Sequence, residues 1–374
     1  MSAGVYLHIP FCRSRCSYCD FATDVWRSGE AVERYVDAIC REVGEPPKGG
    51  TPNSVDTIYF GGGTPSLLSA EQVGRIIAAV KNRFDISDTA EITMEMNPAT
   101  VSAETLGDYR ALGVNRASFG VQTFDDRALK LLARGHDAND ARNTFRLLRE
   151  AGFENISFDL IAGLPNQTLE NWRQNLDEAL AMRPEHLSLY LLEIHEATPL
   201  AEQIRSKRQP MPDEQLAAEM YELMLERIAA AGYEQYEISN FSLPGFRSRH
   251  NTKYWRLDPV YGFGVSAHSF DGTERFANDR DTAKYVSLMG NGGSAEVMRE
   301  KIDAASEFIF LGLRLNRGID LTEYKERFAR DLVEYYADEI DRLVGYGLIE
   351  KSSDTIKLTE KGMLFSNEVF AVFV

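Results

Sequence analysis

The sequence predicts an α/β chain: a partial (β/α)6-type, TIM-like barrel followed by a smaller, mostly helical, winged-helix-like unit. Three observations lead there. Short β-rich runs alternate with helical patterns from residue 5 to about 240, the order that builds a parallel sheet covered by helices. Polar motifs follow the ends of successive runs, where parallel α/β folds gather their sites. Past residue 240 the alternation stops, and from Val297 helical stretches with one short hairpin take over.

In order, the strand candidates are Val5–Ile9, Val55–Phe60, Glu91–Met96, Asn115–Val121, Asn155–Ile161 and Leu187–Ile194, with Tyr233–Ile238 as a seventh. Between the second and third, Val73, Ile76, Ile77 and Val80 form the i, i+3, i+4, i+7 stripe of a helix lying on a sheet. Leu216, Met220, Met224 and Ile228 mark another such helix. Six or seven such units also fit an open doubly wound sheet, with the site at the carboxyl ends of the strands in either case. Residues 45–53 read as a surface loop from their Pro and Gly content. The expected organisation is a barrel core over 1–240, a loop-rich connecting segment over 241–296 and a C-terminal unit over 297–374. In that last unit Leu348–Leu358 reads as a hairpin turning near Ser352–Asp354, followed by a helix from Thr359.

Of the 374 residues, 41 are basic and 57 acidic, a net charge of −16, which speaks against a general nucleic-acid binder. Acidic residues also outnumber basic ones in the C-terminal unit, so a structural or lid role is expected of it rather than DNA binding. No apolar run approaches the roughly 20 residues of a membrane span. The N-terminus has no basic segment ahead of an apolar core, and a cytoplasmic location is expected.

Three of the four cysteines, Cys12, Cys16 and Cys19, fall within eight residues with spacing C-x3-C-x2-C, directly after the first strand. Thiolates on one loop wrap a compact metal unit and suit iron–sulfur clusters or zinc. A structural zinc site completes four protein ligands, and here a fourth would have to be His8. Cys40 sits on a helix whose apolar face carries Val32, Val36 and Ile39, where a buried, unligated thiol is expected. Three thiolates on a four-iron cluster leave one iron open to a small-molecule ligand.

The second strand runs into Gly61-Gly62-Gly63-Thr64-Pro65, glycines that make a tight turn or let backbone approach a ligand. Glu95, at the end of the third strand, and Asp159, at the end of the fifth, lie within apolar stretches. Buried carboxylates need partners, so both should face a polar cavity or hydrogen-bond donors, ribose hydroxyls among them.

The cysteine spacing, with Tyr18 before the third cysteine, resembles the radical S-adenosylmethionine superfamily. That resemblance implies a 4Fe-4S cluster on Cys12, Cys16 and Cys19 whose open iron chelates S-adenosylmethionine, and one-electron cleavage of the cosubstrate to a 5′-deoxyadenosyl radical. It also implies that Gly62, Gly63 and Thr64 meet the amino end of the cosubstrate, and that Glu95, Gln122, Arg134, Asp159, Tyr6 and Tyr18 complete its pocket. For Arg134 a solvated charge is the competing expectation.

The run of motifs YLHIPFCRSRCSYCDF, FGGGTPSLLS, TMEMNP, NRASFGVQTF, FDLIAGLPNQT, HNTKYW and GFGVSAH spans most of the chain. Together they resemble the oxygen-independent coproporphyrinogen III oxidases and their sister group of haem chaperones, the HemW proteins. The oxidase pattern has a further cysteine where Phe21 stands here, and a long N-terminal extension where only five residues precede Tyr6. Both departures favour the chaperone group, as does the likeness of His250-Asn251-Thr252-Lys253-Tyr254-Trp255 to its HNxxYW signature.

On the chaperone reading, haem is bound and passed to haem-accepting proteins. His250 could hold haem with Tyr254 and Trp255 as flat apolar surface, or it could hydrogen-bond a loop round an aromatic anchor. His268 could be a second ligand or a satisfied core histidine. Cluster and cosubstrate would then govern haem handling, homodimer formation being one route, with an electron-donor protein such as flavodoxin or ferredoxin and without full oxidase turnover. The alternatives are the oxidase itself, converting coproporphyrinogen III to protoporphyrinogen IX, and a zinc-stabilised nucleotide-binding structural protein.

Overall fold

The computed structural model describes residues 2–26, 28–45 and 54–373, so the expected loop over 45–53 lies, beyond Glu45, outside the described residues. Six parallel strands are neighbours in chain order: β1 (Ala3–Ile9), β2 (Ser54–Gly62), β3 (Asp85–Met96), β4 (Arg116–Gln122), β5 (Ile156–Ala162) and β6 (His186–Leu191). The seventh run does not add a parallel strand. It forms β7 (Glu234–Glu237), which turns back through β8 (Asn240–Ser242), and β8 pairs antiparallel to β6.

On the other side of β1 lies β9 (Val260–Phe263), parallel to it, followed antiparallel by β10 (His268–Phe270), β11 (Glu274–Asn278) and β12 (Glu296–Lys301). The segment 241–296 therefore supplies strands to the main sheet, through runs of three to five residues too short and glycine-broken to show a period in sequence. Val297 itself sits in β12, and helix resumes only at Ala304. Among the described residues no ladder joins β12 to β7, so this twelve-stranded sheet is an open, partial barrel.

Every parallel strand alternates with period two, which sends successive side chains to opposite faces. Val5, Leu7 and Ile9, Ile58 and Phe60, Ile92, Met94 and Met96, Ala117, Phe119 and Val121, Ile156, Phe158 and Leu160, and Leu187 and Leu189 are buried in one core with the helices. The Ala70–Arg83 helix adds Val73, Ile76, Ile77 and Val80 to that core, its start fixed by a capping box between Ser69 and Gln72. The Glu214–Ala230 helix adds Met220, Met224 and Ile228. The intervening residues Tyr6, His8, Tyr59, Thr93, Glu95, Arg116, Ser118, Ser157, Asp159, His186 and Ser188 give the inner face a polar character.

The C-terminal unit has its own core, built round the Ala304–Leu313 helix and the hairpin Ile349–Lys351 with Thr355–Leu358, to which Ile319–Asp320 adds a third strand. Ile238, Leu257 and Phe270 from the sheet region pack into that core. Arg314 pairs with the fully buried Glu237 at 3.3 Å, next to a bridge between Glu237 and Leu315. No helix among the described residues is long and apolar enough to cross a membrane.

Because Phe119 is fully buried on a central strand, Phe119→Ala should lower the unfolding free energy by roughly 3–5 kcal/mol. Chemical denaturation checks this, and a loss under about 1 kcal/mol would contradict its place in the core.

Candidate functional site

The chain leaves β1 into a loop whose two ends are tied together: Phe11–Cys12 pair in parallel with Asp24–Val25. The middle of the loop is pinned by the Ser17 N–H donating to the Leu132 carbonyl (2.9 Å) and the Ser17 carbonyl accepting from Leu200 (2.8 Å). Cys12, Cys16 and Cys19 are all partly exposed on it. Burial pushes the Cys12 thiol up to about 11, and the charges of Cys19 and Cys16 push the same way. The Thr64 hydroxyl donates to Cys12 Sγ (3.6 Å) and Arg134 Nη1 to Cys16 Sγ (3.5 Å).

Among the described residues no three His, Cys, Asp or Glu side chains close round a single metal ion. His8 is not a fourth ligand either, since its Nε2 donates to the Ala22 carbonyl (2.8 Å) and its Nδ1 accepts from the Tyr6 hydroxyl (3.0 Å). Three thiols on one pinned loop, each open on one side and two of them already facing hydrogen-bond donors, form a donor set that fits a polynuclear iron–sulfur unit.

The glycine turn at the end of β2 packs under this loop. Gly62 has φ +114°, and a Cβ on it would come within 2.8 Å of the His8 ring. A Cβ on Gly63 would meet the Pro10 carbonyl oxygen at 2.6 Å, while the Gly63 N–H donates to the Ile9 carbonyl (2.8 Å). Backbone contact this close excludes any side chain. Gly62 also donates its N–H to Glu95 Oε2 (3.0 Å), and the Tyr59 hydroxyl donates to Glu95 Oε1 (2.7 Å).

Glu95 and Asp159 are surrounded by protein yet retain some solvent access, as residues lining a concavity do. Burial raises the Glu95 carboxyl to about 7 and that of Asp159 to about 6. Arg116, itself 1% exposed, sits on the same face and opposes both shifts.

Arg134 is not a solvated charge. Its Nη2 donates to the Gly120 carbonyl and to Asn97 Oδ1, both at 2.7 Å, and its Nη1 also reaches the Tyr18 hydroxyl (3.3 Å). Asn97 in turn donates to Thr64 Oγ1 (2.7 Å), so one chain of hydrogen bonds links Cys12, Thr64, Asn97, Arg134 and Cys16. A recess opens beside it, lined by Arg13, Cys16, Thr64, Asn97, Pro98 and Arg134. Asn97 was not among the expected site residues. Its signal was an Asn-Pro step one residue past a strand carrying a buried acid. Gln122 closes β4 with φ +67° and is buried. Tyr18 packs its ring on Leu132, Ile161 and Leu164, and Tyr6 stacks on Tyr59 with ring centroids 6.1 Å apart.

The HNTKYW segment lies at the other end of the barrel. It forms the helix Arg249–Trp255, with Ser248 as N-cap. The N–H groups of Arg249 and His250 both donate to the Glu91 carboxylate (3.2 and 3.1 Å). His250 is 1% exposed, with Nδ1 against Thr57 Oγ1 (2.9 Å), Nε2 against the Tyr254 hydroxyl (3.2 Å) and its ring stacked on Tyr59. Burial lowers its pKa to about 3. With both nitrogens engaged, His250 as seated here presents no lone pair to a haem iron, and it has the environment of the loop-and-anchor alternative. Trp255 lies under the Arg314 guanidinium at 4.4 Å. His268, in contrast to a core histidine, is exposed on β10. Cys40 is half-buried on its helix rather than fully enclosed.

The chain matches the model of the radical SAM superfamily over residues 6–179 and that of the HemN C-terminal domain over 300–365. It is 37% identical to the heme chaperone HemW of Bacillus subtilis over 99% of both chains. It is 33% identical to that of Escherichia coli, covering 99% of this chain and 98% of the relative. The solved structure of the Escherichia coli coproporphyrinogen III oxidase HemN, a radical SAM enzyme by its description, superimposes with a TM-score of 0.87 at 24% identity, covering 100% of this chain and 90% of that one. This last likeness establishes the shared fold.

Thiolate ligation holds iron–sulfur clusters, so Cys12→Ala, Cys16→Ala or Cys19→Ala should each abolish the visible cluster absorbance after anaerobic reconstitution, whereas Cys40→Ala should keep it. A full cluster in Cys16→Ala, or none in Cys40→Ala, would show the ligands to be others.

Proposed function

The chain belongs to the HemW family of the radical SAM superfamily, and from that membership we propose that it is a haem chaperone that receives haem and passes it to haem-accepting proteins. The observation that carries this reading is the likeness to curated heme chaperones along essentially the whole chain. Phe21 supports it: two positions beyond Cys19, where the oxidase pattern has a cysteine, this chain carries an exposed phenylalanine, 68% accessible. Full oxidase turnover is not part of the reading.

A radical SAM protein carries a 4Fe-4S cluster and binds S-adenosylmethionine. The cluster, held by Cys12, Cys16 and Cys19, would supply one-electron chemistry next to the cosubstrate. The remaining residues bind and orient. Thr64 and Arg134 direct hydrogen-bond donors at two of the sulfurs, which stabilises thiolate charge. Asn97 keeps Thr64 and Arg134 in register with each other. Gly62 and Gly63 let the turn pack closely under the cysteine loop, beside the amino end of the cosubstrate, while Tyr6, Tyr18 and Gln122 form the walls of its pocket. Glu95 and Asp159 accept from its hydroxyl and ammonium groups.

Partners in this reading are haem-accepting proteins and a reductant such as flavodoxin or ferredoxin, in the cytoplasm. A homodimer is the form in which haem handling would be controlled. A nucleic acid has no part in it, given the net charge of −16.

The raised carboxyls set a pH dependence. A bound cation or hydrogen-bond donor favours the ionised acid, so cosubstrate binding below about pH 6–7 must expel protons. Affinity for S-adenosylmethionine should therefore rise from pH 5.5 to 7.5, by roughly tenfold per ionisation coupled over one pH unit. The rise should flatten in Asp159→Asn, and Gly62→Val should weaken binding without removing the cluster. Calorimetric titration at fixed ionic strength checks this, and a flat wild-type profile would argue against the pocket.

The reconstituted protein should bind haem stably and show no multiple-turnover conversion of coproporphyrinogen III. Sustained formation of protoporphyrinogen IX with S-adenosylmethionine and a reductant would replace the chaperone with the oxidase.

A further inference from the structure

Haem is held by proteins through an axial ligand, and histidine is its commonest imidazole donor. The chain has six histidines, and the structure separates them. His8 and His250 have both ring nitrogens hydrogen-bonded inside the barrel. His186 is fully buried between the Ser157 and Tyr236 hydroxyls, and His136 is buried with Nε2 on the Val121 carbonyl. His195 is half-exposed, but Asp20 faces its Nδ1 and Glu193 its Nε2, each at 3.8 Å. Of the two exposed histidines, His195 and His268, only His268 has, among the described residues, neither ring nitrogen in a hydrogen bond or ion pair.

Resting on the chaperone reading above, we infer that His268 is the axial ligand to the iron of the haem cargo, which lies against the exposed Phe21 with a propionate on Arg280. His268 occupies a fixed strand position, paired with Ala277 of β11, on the strand that also sends Phe270 into the C-terminal core. A ligand on a sheet is held more rigidly than one on a loop. Arg280 lies between this strand and the cysteine loop: it donates Nη2 to the Asp20 carbonyl (3.4 Å), and its charge bears on both His8 and His268.

The residue after Asp20 is Phe21, 68% exposed, which offers a flat apolar surface to a macrocycle. Burial and the Arg275 and Arg280 charges lower the affinity of His268 for a proton. The ring is thus neutral at physiological pH, with a lone pair available to iron. Ligation is a donation of that pair and requires no oxidant or reductant.

The test adds ferric haem to the full-length, cluster-reconstituted protein and follows the Soret band and the electron paramagnetic resonance spectrum. The wild type, His195→Ala and His250→Ala should give the same histidine-ligated spectra. His268→Ala, with its cluster absorbance intact, should lose that signature and at least tenfold in affinity, and added imidazole should restore the spectrum. Arg280→Ala should weaken binding and leave the ligation signature unchanged. Wild-type spectra in His268→Ala, or a loss that imidazole does not restore, would overturn the assignment and leave the chaperone reading standing. No stable haem binding by the wild type would overturn both.

Discussion

A sheet whose strands all alternate with period two has one face that buries itself under helices and another that cannot. In this chain the second face carries carboxylates, an arginine, imidazoles and hydroxyls, and each of them must find a partner or water if the barrel is to be stable. The rest of the structure follows from how that requirement is met. At the lower end the Arg249–Trp255 helix sets its first N–H groups on Glu91 and stacks His250 on Tyr59. At the upper end Glu95 takes the Tyr59 hydroxyl and the Gly62 N–H. Tyr6, Tyr59 and His250 thus make a column of rings through the barrel, with hydrogen bonds at both ends.

The upper end is where satisfaction is incomplete. Glu95 and Asp159 keep raised pKa values because burial outweighs the hydrogen-bond donors and the Arg116 charge that favour their ionised forms. Cys12 meets a donor from Thr64 and Cys16 one from Arg134. Sites with unspent hydrogen-bonding capacity and perturbed acids, gathered at strand ends, are where ligands bind in α/β folds. The lower end, with every ring nitrogen engaged, has the opposite character.

Much of this was legible in the sequence. The six parallel strands lie where β-rich runs predict them, because residues such as Val5, Leu7 and Ile9 alternate with Tyr6 and His8 strongly enough to set the register. The cysteine loop and glycine turn are local features whose chemistry survives without tertiary context. What was not legible depends on long-range contact. Nothing near Arg134 in sequence says that Asn97 and the Gly120 carbonyl will draw it inward. His250 and His268 look alike in sequence as histidines near aromatic or glycine-rich stretches, yet one is sealed against Thr57 and Tyr254 and the other is exposed on a strand. The strands from residue 260 to 278 are hard to read because they have only three to five residues each, and so short a run has no measurable period.

The position of β1 inside the sheet, rather than at an edge, has a consequence in time. One of its neighbours, β2, follows within about fifty residues, but the other, β9, pairs Gly4 with Val260. During synthesis at roughly 5–20 residues per second the first strand waits on the order of tens of seconds for its second partner. The cysteine loop hangs from that strand throughout the wait. The thiols on that loop leave the ribosome before Thr64, Leu132, Arg134 and Leu200, the residues that hold the loop and face its sulfurs, so the nascent chain passes through an interval in which these oxidisable groups lack the contacts of the folded protein.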